Sequence, residues 1–102
     1  MTIRVLPQVQ KFIDSLALEI RAAVKADLKD LQKHGLATPL VSLRQIKGKL
    51  WEIRTNGFRI FYVMVDEDMI LLQAYKKQSQ KAPKQEIKTA LQRMNELLEE
   101  EE

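Results

Sequence analysis

Cysteine is absent from this chain, which removes both a disulfide framework and any thiolate metal site. The absence fits a reducing compartment. Glycine and proline number three each, too few for a glycine-rich phosphate loop or a low-complexity linker. No apolar run approaches the ~20 residues that span a bilayer. The N-terminus lacks the basic-then-apolar order of a secretory signal. The expectation is a soluble, cytoplasmic protein. Histidine occurs once, as His34 before Gly35, where it suits a helix end better than catalysis. Ser15, Ser42 and Ser79 have no histidine context that would make a nucleophile. Asp66-Glu67-Asp68 reads as a solvated turn rather than a metal site. No cofactor is expected.

What is present is an apolar fraction of 45% in 102 residues, enough for one modest core and a single domain over 1–102. The net charge of +3 hides a split. The last seven residues hold five glutamates and no base, leaving 17 basic against 9 acidic residues and a net of +8 over 1–95. A basic body with an acidic tail at about 99–102 suits an anionic partner, although a solvated surface would look the same.

Period separates the chain into regions. Val9, Phe12, Ile13, Leu16, Ile20, Val24, Leu28 and Leu31 recur at helical steps, with no glycine or proline between Gln8 and His34. Pro7 suits a first turn and Gly35 a stop. The phase alone does not separate one helix from two. A single helix of ~26 residues would run ~39 Å, long for this domain, so a hairpin breaking near Leu16 to Glu19 is favoured. Ile3 to Leu6 is expected as a short edge strand. Leu50 to Thr55, Phe58 to Val65 and Met69 to Tyr75 are rich in β-formers, and Leu40 to Ile46 adds a further strand. Pro83 to Leu98 is the last helix, with a stripe of Ile87, Leu91, Met94 and Leu98. The fold class is α+β: an N-terminal helical pair on a small antiparallel meander, plus a C-terminal helix, with the helices on one face of the sheet.

Asn56-Gly57 marks a two-residue hairpin, because both turn residues must take positive φ. That turn pairs Thr55 with Phe58, Arg54 with Arg59, Ile53 with Ile60 and Trp51 with Tyr62. Alternation puts Trp51, Ile53, Ile60, Tyr62 and Met64 on an apolar face, and Glu52, Arg54, Arg59 and Phe61 on the other. Trp51 and the methionines read as core. Two arginines directly opposed repel. A phosphate bound between them removes the conflict; a structural ion pair with Glu52 is the alternative. A second basic cluster follows: Lys76, Lys77, Lys81, Lys84 and Lys88.

Ile46-Lys47-Gly48-Lys49-Leu50-Trp51-Glu52-Ile53-Arg54, then Phe58-Arg59-Ile60-Phe61-Tyr62, resembles the signature of the RelE/ParE superfamily of type II toxins. Lys76 to Pro83 with Glu86-Ile87 resembles a segment of its phage-derived HigB-like branch. The resemblance implies a RelE-like fold and a metal-independent endoribonuclease, an mRNA interferase. Such toxins cleave messenger RNA, usually on the ribosome, by attack of the ribose 2′-hydroxyl on the adjacent phosphate. It also implies neutralisation by a cognate antitoxin, expected as an adjacently encoded helix-turn-helix protein. By position, Arg54 and Arg59 fall where the family places phosphate-contacting arginines, and Lys76, Lys77 and Lys81 fall in its basic catalytic segment. A lysine beside arginines makes a better base, because like charge disfavours its protonated form; Glu52 is a second candidate base, better read as a structural ion pair. Lys47, Lys49, Tyr75 and Lys84 are the expected RNA contacts. Ala82 departs from the threonine usual before the proline, so that cap hydroxyl is missing. A gyrase-poisoning toxin of the ParE type, or a non-catalytic RNA-binding module, would share much of this pattern.

Overall fold

The elements run β1 (Thr2–Val5), α1 (Pro7–Asp14), α2 (Leu18–His34), β2 (Ser42–Lys47), β3 (Leu50–Thr55), β4 (Phe58–Val65), β5 (Asp68–Lys76) and α3 (Lys84–Glu101) in the computed structural model. It describes residues 1–79 and 81–101. Gln80, in the basic segment, and Glu102, at the end of the acidic tail, lie outside the described residues. The glutamates before Glu102 are not a separate tail but the last turn of α3.

The helical third is a hairpin, broken at residues 15–17. Pro7 opens α1, its missing N–H costing nothing in a first turn. At the other end the Ser15 hydroxyl donates to the Phe12 carbonyl at 2.6 Å, which competes with helix continuation. The Arg21 guanidinium donates to the Asp14 carbonyl at 3.2 Å and ties the two helices at the corner. Gly35, at φ 81°, ends α2. The break changes the phase of the apolar stripe. Val9 and Ile13 of α1 and Val24 and Leu31 of α2 are buried, whereas Ile20, which the sequence places in the stripe, is exposed.

The sheet order is β1-β5-β4-β3-β2. The last four strands in sequence form the expected antiparallel meander, and β1 adds parallel to β5 at one edge. Asn56 and Gly57 take φ of 50° and 84°, and the hairpin has the register that a two-residue turn dictates. This hairpin is fastened to α2. The Asp27 carboxylate accepts from the buried Thr55 hydroxyl at 2.6 Å and from the Asn56 amide at 3.4 Å. Asp27→Ala leaves the Thr55 hydroxyl proton without its acceptor, although the hydroxyl oxygen still accepts from the Asn56 amide at 2.9 Å, and a loss of about 1–3 kcal/mol in urea-unfolding free energy is expected.

The helices do not share one face. Ile53, Phe58, Ile60, Tyr62, Met69 and Leu71 pack with α1 and α2. Leu50, Phe61, Val63, Ile70 and Leu72 pack with Ala90, Met94 and Leu97 of α3 on the opposite face. The central strands are therefore covered on both sides, which explains why β4 and β5 are nearly continuous apolar runs. Trp51 is also placed differently from the sequence reading. It lies beyond the reach of the helical pair and remains 37% exposed.

One irregularity decides where the chemistry sits. Phe61 pairs with Gln73 but Tyr62 pairs with Leu71, so Leu72 is an extra residue in β5. Such a bulge reverses the alternation beyond it. Ala74 turns toward α1 and α2, and Tyr75 turns toward α3. The Arg93 guanidinium from α3 donates to the Leu72 carbonyl at 2.9 Å and to the Gln73 side-chain oxygen. The Gln73 amide in turn donates to Glu86 at 2.6 Å.

Candidate active site

Two rows of side chains cross the sheet on the α3 face. Ser42, Arg54, Arg59 and Tyr75 are successive ladder partners, and so are Arg44, Glu52, Phe61 and Gln73. Both rows run past the start of α3, which covers Phe61 and leaves a hollow of about 270 Å³ beside it. Arg44, Glu52, Arg59 and Tyr75 wall this hollow from the strands. Ser79, Lys81 and Ala82 close it from the loop before α3, with Ile87 from the helix. The Ser79 hydroxyl donates to the Lys81 carbonyl at 3.0 Å and shapes that loop.

Two of the larger hollows carry less chemistry. One, of about 590 Å³, lies along the outer side of α3 at Lys84, Ile87 and Leu91. The other, of about 510 Å³, is an apolar groove at Leu36, Val41, Leu43, Trp51, Tyr62 and Met64. Neither gathers cations around a buried acid, and the smaller hollow does.

Glu52 is the centre of that charge arrangement. It is buried to 3% exposure, with Arg54 Nε at 3.4 Å and Arg59 Nε at 4.0 Å from the same oxygen, Oε1. Both distances exceed the ~2.7–2.9 Å of a tight charge-assisted bond. Among the described residues, no donor reaches Oε2. Arg44 stands directly opposite Glu52 on β2. Tyr75 packs its ring 5.5 Å from that of Phe61. Burial pushes the Tyr75 hydroxyl above its ordinary value, with Glu52 and Glu86 adding to the rise and Arg59 and Arg44 opposing it. Tyr75 therefore keeps its proton at neutral pH and is a hydrogen-bond donor. Burial raises Tyr62, on the other face, to about 12.

The residues named from sequence divide into those in the hollow and those outside it. Arg59, Tyr75 and Lys81 line it, and Arg54 flanks it through Glu52. Lys76 pairs with Phe58, so alternation turns it toward the α1–α2 face, away from Arg59. Lys77 extends the strand through its N–H, which donates to the Gly57 carbonyl at 2.9 Å. Lys47 and Lys49 flank the exposed Gly48 turn between β2 and β3. Lys84 opens α3 on its outer side, away from Glu52. His34 sits 3.7 Å from Asp30 at the end of α2, as a helix-end residue. Sequence reasoning passed over Arg44, Gln45 and Ser79. Arg44 left no firm signal, because a slip of one residue between β2 and β3 would set Leu43 or Gln45 opposite Glu52 instead. The register is set by a bulge between Gln45 and Lys47, which no local motif announces.

Among the described residues, no three His, Asp or Glu side chains gather where they could hold a metal ion. No described helix is long and apolar enough to cross a membrane.

The family model of the phage-derived Gp49-like proteins (DUF891) matches residues 11–95. No curated protein sequence matches the chain significantly. Several solved structures share its fold. The archaeal RelE–RelB complex from Pyrococcus horikoshii OT3 is 16% identical, with a TM-score of 0.64 over 74% of this chain and 92% of that one. The toxin–antitoxin complex RelBE2 from Mycobacterium tuberculosis is 20% identical, with a TM-score of 0.58 over 74% and 96%. The YoeB dimer from Staphylococcus aureus is 17% identical, with a TM-score of 0.54 over 70% and 90%. At these identities the likeness establishes a RelE-like fold.

Proposed function

The chain belongs to the phage-derived Gp49-like family, and from that membership, its RelE-like fold and its basic hollow we propose that it is the toxin of a type II toxin–antitoxin pair. It is read as a metal-independent endoribonuclease of the HigB-like branch that cleaves messenger RNA on the ribosome, in the cytoplasm. A cognate antitoxin holds it inactive; the similar chain from Mycobacterium tuberculosis is in a toxin–antitoxin complex, and that from Pyrococcus horikoshii is in a RelE–RelB complex.

The observation that carries the reading is the gathering of Arg54, Arg59, Arg44, Lys81 and Tyr75 around one hollow. Ribonucleolytic transesterification needs little more than this. The 2′-oxygen attacks the adjacent phosphorus, and negative charge grows on the equatorial oxygens. Guanidinium groups matched to those oxygens stabilise the pentacoordinate state more than the ground state. The side-chain set favours general acid–base chemistry over metal-assisted hydrolysis. Lys47, Lys49 and the lysines outside the hollow extend a positive surface along which an RNA backbone is held.

Induction of the protein alone is expected to arrest bacterial growth, and co-expression of the neighbouring reading frame to relieve the arrest. In vitro, cleaved messenger RNA should carry 2′,3′-cyclic phosphate and 5′-hydroxyl ends. Ends with 5′-phosphate and 3′-hydroxyl would sink the mechanism. Arrest with intact RNA and inhibited gyrase would replace it with the ParE-type activity.

A further inference from the structure

We infer that Glu52 is the general base of this site, its free oxygen Oε2 taking the proton of the attacking 2′-hydroxyl. The inference rests on the ribonuclease reading above and adds the group that the reading leaves unnamed.

A purely structural ion pair would look different. A carboxylate that serves only to neutralise arginines engages both oxygens, commonly in a two-bonded fork. Here Arg54 and Arg59 address the same oxygen at 3.4 and 4.0 Å, and among the described residues no donor reaches the other. A buried carboxylate oxygen left without a donor is destabilising, and such atoms are rare in folded proteins. The arrangement is what a base requires. One oxygen is oriented by cations, and the second is buried without a donor among the described residues, on a side chain that lines the hollow and is freed to meet the 2′-hydroxyl when the arginines turn to the phosphate.

Alternatives in the same hollow are weaker. Among the described residues that wall it, Glu52 is the one acid. Tyr75 holds its proton more firmly than an ordinary tyrosine, because of burial first and Glu52 second. An ammonium accepts a proton only after it has lost one, whereas a carboxylate needs no prior step. Lys76 and Lys77 stand outside the hollow.

The step balances within these groups. The 2′-hydroxyl proton passes to Oε2 as the new oxygen–phosphorus bond forms. Arg59 and Arg54 turn from Oε1 to the phosphate oxygens, which their long contacts permit. The bond from phosphorus to the 5′-oxygen breaks, and that oxygen leaves with a proton from the Lys81 ammonium. Proton exchange with water then restores Glu52 and Lys81. The charged or titratable groups facing Glu52 are Arg44 from β2, Arg54 from β3, Arg59 from β4, Tyr75 from β5 and Lys81 from the loop. On α3, Glu86 is held by Gln73.

The test is single-turnover cleavage of messenger RNA in programmed ribosomes by the full-length parent, Glu52→Gln and Glu52→Asp. Binding of the same RNA with a 2′-deoxy residue at the cleavage site is measured alongside. Glu52→Gln keeps the shape and the arginine contacts but cannot accept the proton. It is expected to slow cleavage ~100- to 10,000-fold and to leave affinity for the deoxy RNA unchanged. The parent's rate should rise on an acidic limb as a group loses its proton, and Glu52→Asp should cleave at an intermediate rate and keep that limb. Cleavage by Glu52→Gln within tenfold of the parent overturns the assignment. So does a slow Glu52→Gln that retains the acidic limb, because Glu52 would then only position the arginines. Should Glu52→Gln fail to fold, Glu52→Asp decides: an intermediate rate with the acidic limb kept supports a carboxylate base, and a folded Glu52→Asp with full RNA affinity that is inactive or has lost the limb overturns it. A parent that cleaves no RNA overturns the ribonuclease reading itself, which separates that failure from a failure of Glu52 alone.

Discussion

Arg59→Ala is expected to slow messenger-RNA cleavage ~100- to 1000-fold while the protein remains folded. The rate loss follows from its place in the hollow: on the proposed mechanism its guanidinium is one of the donors aimed at charge that develops on the phosphate, and removing one such donor costs that much. Retention of the fold follows from the balance of its contacts. Arg59 faces Arg54 directly across the hairpin, and that like-charge pair is itself destabilising by ~0.2–1 kcal/mol. Its contact with Glu52, at 4.0 Å, is loose, and Arg54 continues to neutralise Glu52 in the variant. Against this stands the packing of a side chain only 13% exposed, whose buried stem is lost. The two effects oppose each other, and a stability change within about 1–2 kcal/mol is expected. Circular dichroism and a thermal melt check the fold, and single-turnover kinetics check the rate. A variant that cleaves as the parent does removes Arg59 from the site. One that is unfolded at growth temperature makes its role structural.

Phe61→Ala is expected to lower unfolding free energy by about 3–5 kcal/mol, the cost of emptying a fully buried aromatic position. Phe61 is 0% exposed, enclosed between β4 and the α3 side chains, with the Tyr75 ring against it. Strand alternation puts this residue on the same face as Glu52 and Arg59. If that face were open to water, the substitution would shift stability by no more than about 0.5 kcal/mol. Urea-unfolding free energies of parent and variant separate the two values by several-fold. Cleavage should fall as well, because Tyr75 loses the ring that holds it at the edge of the hollow. A small stability change would contradict the placement of α3 on the second face.

Some of this architecture is local and therefore readable in the chain. Asn56-Gly57 admits little but a two-residue turn with positive φ, and the turn sets the β3–β4 register residue by residue, Arg54 opposite Arg59 included. Pro7 and Gly35 bound the helical region because their backbone preferences act within one turn. The split of that region into two helices came from chain length against domain size rather than from the phase.

What only the tertiary structure decided depends on elements far apart in sequence. An amphipathic stripe on α3 shows that the helix has a face to bury, not which side of the sheet receives it. Two-sided burial of β4 and β5 answers that, and it leaves Trp51 at the margin. The bulge at Leu72 has no local mark. It puts Leu72 and Gln73 on the same face, where Arg93 donates to the carbonyl of one and the side-chain oxygen of the other, and it turns Ala74 rather than Tyr75 toward the helical pair. Without it, alternation would turn Tyr75 away from Arg59. With it, Tyr75 joins the hollow and Lys76 leaves it. Basic composition thus suggested an anionic partner, while which side chains gather in the hollow was decided by one extra residue in a strand and by the helix that covers it.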